Sequence, residues 1–255
     1  MKKNLFSDIS LNLGDCVLVS SSILKYLIKK KEKNLEKEAN KVIDDLIEKI
    51  GSSGTLLFPT YNWDFCKGIQ FDYKKTLSMS GALGNIALKR DDFLRTKNPI
   101  YSFAVTGKNS KTISELTHKS CFGLDSPFGY LIANKGKNLF LDIDYKEGFT
   151  FCHIAEETAG VDYRYKKTFS GLYNDKKNKL EKVSVSMHVR NIEAKIGMTI
   201  IDKKFDNSLK QNDALKKFVE DGINITIVDI EKAYNLMVDD IKTKKIFIYP
   251  LKLSL

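Results

Sequence analysis

One of the three histidines of the chain, His153, stands three residues before Glu156. The surrounding residues favour a helix, in which side chains three positions apart are neighbours on one face. A carboxylate placed there holds the imidazole in one orientation and raises its basicity, which is what a general base requires. A surface ion pair or a partly buried structural histidine is the alternative interpretation, because this spacing is common in helices.

Two other side chains offer a different chemistry. Cys152 adjoins His153, and Ser126 lies earlier in the chain, so either could be the nucleophile of a hydrolase. Neighbouring residues in a helix point about 100° apart. This predicts that the Cys152 thiol and the His153 imidazole do not face each other well.

Composition places the chain among globular proteins. It has 255 residues, of which 42% are hydrophobic and 29% charged, and no linker-like stretch divides it, so we expect one domain over residues 1–255. No apolar run approaches the roughly 18 residues of a membrane span, and the N-terminus does not resemble a secretory signal. The four cysteines lie far apart without a Cys-x-x-Cys pair. We therefore expect a cytoplasmic protein without a metal site or a disulfide framework. The oligomeric state does not follow from the sequence.

The formal net charge is +10, with lysine runs at residues 29–33 and 175–179. Acids and asparagines interrupt both runs, which is typical of solvated surface, and no nucleic-acid-binding motif is present. A positive field would also attract a phosphorylated small molecule such as a nucleotide cofactor. We expect no nucleic-acid partner.

Apolar periodicity predicts alternating strands and helices, hence an α/β fold with a mixed central sheet flanked by helices. The expected strands cover residues 16–19, 55–58, 101–106, 138–143, 183–189, 223–230 and 245–251. The expected helices cover residues 36–50, 81–89, 111–118, 149–158, 207–221 and 230–242. A loop at residues 171–182 is expected to be a mobile insertion.

Four ordered motifs together resemble the aminoglycoside 3-N-acetyltransferase-like family. They are Gly-Thr-Leu-Leu-Phe-Pro-Thr at 54–60, Arg-Thr-Lys-Asn-Pro-Ile-Tyr-Ser-Phe-Ala-Val-Thr-Gly at 95–107, Asp-Ser-Pro-Phe-Gly at 125–129, and His-x-x-Glu at 153–156. The resemblance extends from about residue 14 to residue 171. The chain departs from the family where Ser20 and Asn98 replace histidines, and where a lysine-rich segment replaces the glycine-rich stretch after the serine turn.

The resemblance implies an antibiotic N-acetyltransferase-like fold, distinct from the GNAT fold. It implies transfer of an acetyl group, or a longer acyl group, from acetyl-CoA to the amine of an amino sugar. His153 would be the general base, Glu156 its orienting partner, and the amine would attack the thioester directly. The Asn-Pro-Ile-Tyr-Ser-Phe variant is similar to relatives linked to surface-sugar biosynthesis, which favours the amine of a sugar, free or nucleotide-linked, as the acceptor. Aminoglycoside resistance, a hydrolase and an inactive CoA-binding homologue are the alternatives.

The resemblance and the residue types also suggest binding residues. Ser21, Ser22 and Ser102 are candidates for the cofactor, although Ser21 and Ser22 would also serve as helix N-caps. Arg95 either binds a phosphate or anchors its loop. An acceptor that is cationic and rich in hydroxyls calls for carboxylates and aromatic rings. Residues of these types near the motifs, which could equally be loop or core residues, are Tyr61, Asn62, Trp63, Asp64, Asp125 and Glu157.

Overall fold

A computed structural model describes residues 4–22, 24–29, 34–244 and 247–252. Within these residues the strands are β1 (Cys16–Ser21), β2 (Thr55–Pro59), β3 (Phe71–Asp72), β4 (Leu94–Arg95), β5 (Phe103–Gly107), β6 (Lys137–Leu141), β7 (Arg164–Asn174), β8 (Leu180–Arg190), β9 (Ile196–Ile201), β10 (Leu215–Glu220), β11 (Ile223–Asp229) and β12 (Ile248–Lys252). The helices are α1 (Leu24–Lys29), α2 (Leu35–Ile50), α3 (Ala82–Ala87), α4 (Ser110–Glu115), α5 (Pro127–Ala133), α6 (Tyr145–Gly148), α7 (Cys152–Ala159), α8 (Phe205–Gln211) and α9 (Ile230–Thr243).

A mixed seven-stranded sheet forms the centre, in the order β10-β11-β6-β1-β2-β5-β4. The strand β1 runs parallel to both β2 and β6, while the outer strands pair antiparallel. Parallel neighbours need a crossover connection, and α2 supplies it between β1 and β2. The predicted α/β fold with a mixed central sheet and flanking helices is confirmed.

Both faces of the sheet are buried, as the nearly continuous apolar composition of β1 and β2 predicts. Val17 and Val19 point to the face covered by α2, whereas Cys16 and Leu18 point to the opposite face. The opposite face is covered by apolar residues that include Ile154 of α7. The helix α9 packs against α7. Packing on this side therefore fixes the helix that carries the His-x-x-Glu motif.

Two smaller sheets complete the described chain. The strand β7 pairs antiparallel with β8 over eleven residues and parallel with β3, and β9 pairs with β12. The expected loop at 171–182 is wrong, because Gly171 pairs with Val183 and Asn174 pairs with Leu180. Only residues 175–179 form the turn between these strands.

The helix predicted over residues 207–221 is also wrong in its second half. The helix α8 ends at Gln211, and Asp213 has a φ of 50°, which does not continue a right-handed helix. Residues 215–220 instead form β10, which pairs with β11 along its full length. The two-residue turn Asp221-Gly222 joins the strands into a hairpin, and this pairing outweighs the local helical pattern. The predicted last strand begins at Ile248, and residues 245 and 246 lie outside the described part of the chain.

The carboxyl ends of β1, β2 and β6 meet at one edge of the sheet because these strands are parallel. In open α/β sheets, ligands bind beyond this edge. The segment after β2 contains Trp63, and the segment after β6 leads through α6 into α7. None of the described helices has the length and apolar character needed to cross a membrane.

Candidate active site

A cleft of about 610 Å³ lies at this edge of the sheet, and His153 lines it. One wall consists of Trp63, Tyr101 and Phe122, and residues 146–150, from α6 and the segment after it, lead into the first turn of α7. The hairpin formed by β7 and β8 provides the opposite wall together with β9. The volume is in the range of pockets that bind small molecules.

The His153 imidazole is held on the helix surface by Glu156. Nδ1 lies 2.8 Å from Glu156 Oε2, and the imidazole ring packs on Phe122 with a centroid separation of 5.3 Å. The His153 side chain is 24% exposed, whereas Glu156 is fully buried. Because the ionised carboxylate accepts a hydrogen bond from Nδ1–H, the lone pair of the neutral ring resides on Nε2. The pair therefore has the arrangement of a base and its orienting group.

Three further side chains converge on the Glu156 carboxylate. Arg164 Nε lies 2.7 Å from Oε2, Tyr163 Oη donates to Oε1 at 3.1 Å, and Thr199 Oγ1 donates to Oε1 at 2.6 Å. Burial by itself would raise the pKa of Glu156, but hydrogen bonding from His153 and the charges of His153 and Arg164 lower it below its usual value. Glu156 is therefore an anion that keeps His153 oriented.

The surroundings make His153 a stronger base than a free imidazole. Burial opposes its charged form, but the neighbouring Cys152 sulfur and the Glu156 carboxylate outweigh this and raise the pKa of His153 to about 9. Cys152 Sγ lies 3.5 Å from Nδ1. The expectation that these two side chains do not face each other is therefore wrong. Cys152 is the first residue of α7, so the helix has no preceding turn that would keep its side chain apart from that of His153.

The same three side chains are the group among the described residues that could hold a metal ion. One ligand atom each from Cys152, His153 and Glu156 lies within 4.8 Å of the other two. The Glu156 oxygens already accept from Tyr163 and Thr199 and face His153 and Arg164. This saturation suits an orienting carboxylate better than a metal ligand.

Comparison with known proteins identifies the family. The sequence profile of aminoglycoside 3-N-acetyltransferase matches residues 29–239, which is most of the chain. The chain belongs to the aminoglycoside 3-N-acetyltransferase family. It is therefore an N-acetyltransferase of that family. A search of the curated proteins gave no match.

Solved structures of this family share the fold. The chain is similar to AAC-IIIb in its binary complex with CoASH, with a TM-score of 0.75, 14% identity, and coverage of 94% of each chain. It is similar to sisomicin-bound AAC-VIa, with a TM-score of 0.73, 17% identity, and coverage of 92% of this chain and 94% of that chain. It is also similar to YokD from Bacillus subtilis, with a TM-score of 0.71, 18% identity, and coverage of 93% and 91%. At these identities the likeness concerns the fold.

Of the six acceptor residues suggested for this member of the aminoglycoside 3-N-acetyltransferase family, the structure places one in the cleft. Trp63 is 38% exposed and lines the cleft together with His153. Asn62 is buried and its side chain is bonded to Leu77 O and to the Asp64 amide. Tyr61 is buried in the aromatic core, and Asp64 forms an ion pair with Lys67.

The other two acidic candidates also lie away from the cleft lining. Asp125 is exposed in the turn before α5. Glu157 accepts from the Ser120 hydroxyl at 2.7 and 2.8 Å. The acidic acceptor side expected from the family resemblance is thus not assembled from these residues.

Ser102 and Arg95 form buried hydrogen bonds within the fold and do not line the cleft. Ser102 is fully buried, donates to Thr60 O at 2.9 Å and accepts from Arg95 Nε at 3.1 Å. The Arg95 guanidinium also donates to backbone oxygens of Tyr73 and Thr76. Burial lowers the pKa of Arg95 to about 10. Of the two roles considered for Arg95, this geometry favours the anchoring of its loop.

Ser21 and Ser22 lie at the carboxyl end of β1, as expected, but they line a different pocket of about 360 Å³. This pocket shares no lining residue with the cleft of His153. A role of the two serines in binding the cofactor remains a prediction.

Sequence reasoning missed the groups that surround the dyad from the second half of the chain. Tyr163 immediately precedes β7 and Arg164 begins it, and Thr199 of β9 lies more than forty residues from Glu156 in the chain. The Tyr-Arg-Tyr sequence at 163–165 was a usable signal because it follows the motif helix directly. Thr199 carries no signal in the sequence, because only the fold brings it to the carboxylate.

Proposed function

We propose that the chain transfers an acetyl group from acetyl-CoA to the amine of an amino sugar, with His153 as the general base. The observation that carries the proposal is the His153–Glu156 dyad, whose imidazole opens onto a cleft in a chain of this family. Related folds were solved as AAC-IIIb with CoASH and AAC-VIa with sisomicin, which supports a CoA thioester as donor and an amino sugar as acceptor.

The dyad accounts for the proton movements of the reaction. An ammonium has no lone pair, so Nε2 of neutral His153 first removes a proton from the acceptor amine. The amine nitrogen then attacks the thioester carbon, and the carbon–sulfur bond breaks as the amide forms, while the nitrogen loses its second proton to solvent. The imidazolium can return its proton to the departing thiolate, which restores neutral His153 and yields free thiol. Glu156 stabilises the imidazolium between these two steps.

One observation favours a second function. Cys152 Sγ lies 3.5 Å from His153 Nδ1, so the thiol has a base nearby and could accept the acetyl group before water removes it. This would make the protein a thioester hydrolase. The Nδ1 atom is already directed to Glu156 at 2.8 Å, which favours proton transfer at Nε2 and direct attack by the amine.

Release of free thiol from acetyl-CoA distinguishes these functions. Release that requires an amino sugar supports transfer, release without an amine supports hydrolysis, and binding of CoA without release indicates an inactive homologue. His153→Ala should lower the transfer rate by two to four orders of magnitude, the usual contribution of a positioned base. A folded His153→Ala protein that keeps most of its turnover would refute the assignment.

The narrower parts of the function are proposals as well. A nucleotide-linked acceptor, a role in surface-sugar biosynthesis and a cytoplasmic location are consistent with the motifs and composition described above. Resistance to aminoglycosides is the alternative role. Acetylation assays with amino sugars, nucleotide-linked amino sugars and aminoglycosides separate these roles by substrate.

A further inference from the structure

The cleft around His153 carries more positive than negative charge. Five lysine, arginine and glutamate side chains line it: Lys146, Glu147, Arg164, Lys167 and Arg190. Two of the four cations are neutralised within the protein. Lys146 lies 3.0 Å from Asp144, and Arg164 pairs with Glu156.

The other two cations are available to a ligand. Lys167 of β7 and Arg190 of β8 are both exposed, and neither has an ion-pair partner among the residues that the structure describes. Arg190 stands opposite Arg164 in the strand register, so the hairpin places two guanidinium-bearing residues side by side. Glu156 already compensates Arg164, so the positive charge of Arg190 is left for a ligand.

The remaining charge in the lining is the exposed carboxylate of Glu147. One free carboxylate beside two free cations complements a molecule that has one ammonium group and one anionic group. It is a poor complement to a polycation, which would meet Lys167 and Arg190 without compensating acids. Trp63 and Tyr101 supply aromatic surface in the same cleft for the body of a sugar.

We infer that Lys167 and Arg190 bind a phosphate group carried by the acceptor, so that the substrate is a phosphorylated or nucleotide-linked amino sugar. This inference rests on the proposed function, because it takes the amine at His153 as the reacting group. Acetyl-CoA is the other source of phosphate. Its phosphates stand a full pantetheine arm from the thioester, whereas Lys167, Arg190 and His153 share one cleft of about 610 Å³. This favours the acceptor as the source.

The kinetic test compares glucosamine 6-phosphate with glucosamine as acceptors. We expect the phosphorylated sugar to have the higher kcat/KM, by roughly tenfold or more. Lys167→Gln and Arg190→Gln should each lower kcat/KM for glucosamine 6-phosphate by about tenfold and leave glucosamine nearly unchanged. Lys166→Gln is the matched control, because Lys166 is exposed on the same strand but does not line the cleft.

The donor arm of the experiment identifies the source of the phosphate. Acetyl-pantetheine has no phosphate group, so with this donor the effect of Lys167→Gln on glucosamine 6-phosphate should persist. If the two variants instead impair the use of acetyl-CoA with either acceptor and have no effect with acetyl-pantetheine, the pair binds the cofactor and the inference is overturned. A preference for kanamycin over glucosamine 6-phosphate would overturn it as well.

Calorimetry separates this inference from the proposed function. Glucosamine 6-phosphate should bind to the His153→Ala protein, and Lys167→Gln should weaken that binding by about tenfold. Such binding without acetyl transfer in the wild type would preserve the anion site and refute the transferase function. Transfer to amines without any dependence on Lys167 or Arg190 would preserve the function and refute the anion site.

Discussion

Replacement of Glu156 by Gln removes the charge of the orienting group and keeps its shape. The amide oxygen can still accept from His153 Nδ1, so the ring keeps its orientation. What is lost is the negative charge that favours the imidazolium. The pKa of His153, about 9 in the native protein, should therefore fall.

The magnitudes follow from the burial of the carboxylate. At pH 7 a base with a pKa of about 9 is neutral in roughly one molecule in a hundred, so kcat/KM should rise with pH until His153 has lost its proton. In Glu156→Gln this limb should move to lower pH, and its plateau should be lower because the base is weaker. The activity at pH 7 should exceed that of His153→Ala. The Arg164 side chain, only 6% exposed, would lose its counter-ion, so the free energy of unfolding should fall by about 3–5 kcal/mol.

The assay is the pH dependence of kcat/KM for acetyl transfer, measured with denaturant unfolding at the same pH. Glu157→Gln is the control, because Glu157 is the next residue of α7 and bonds to Ser120 instead of to His153. If kcat/KM rises at the same pH in Glu156→Gln as in the native protein, Glu156 does not set the basicity of His153. A limb that also moves in Glu157→Gln would show that the effect is general to the helix.

Other substitutions test the remaining assignments. Arg95→Leu should lower the free energy of unfolding by about 3 kcal/mol in denaturant titrations and leave the KM for acetyl-CoA unchanged, because the guanidinium is buried and bonds Ser102. Trp63→Ala should raise the KM for the acceptor several-fold with a smaller change in kcat, since the exposed ring provides binding surface. Alkylation of Cys152 by iodoacetamide should abolish acetyl transfer. Substrate bound in the cleft should slow this alkylation. The raised pKa of His153 should stabilise the fold below about pH 6.5, and this contribution should be lost as the pH rises to about 9, which thermal melts against His153→Ala would detect.

The sequence predicted those parts of the structure that depend on local signals. The helix α2 follows from its apolar face, and the His153–Glu156 contact follows from helical spacing. The extended structure of residues 215–220 does not follow from the apolar pattern, although Asp221-Gly222 between β10 and β11 is a local signal for a hairpin. The residues that surround Glu156 could not be predicted because their contacts are long-range, and Thr199 reaches the carboxylate only through the fold.

The residues proposed for proton transfer and those proposed for acceptor binding lie on different elements of the chain. The proposed base and its partner sit on α7, which is fixed between the central sheet and α9. The free cations sit on β7 and β8, outside the four motifs that carry the family resemblance. Charge changes on this hairpin can therefore alter which amine enters without moving the proton-transfer geometry. Arg164 is the exception because it is both a hairpin residue and the counter-ion of Glu156, so its replacement should affect the pH dependence as well as the acceptor.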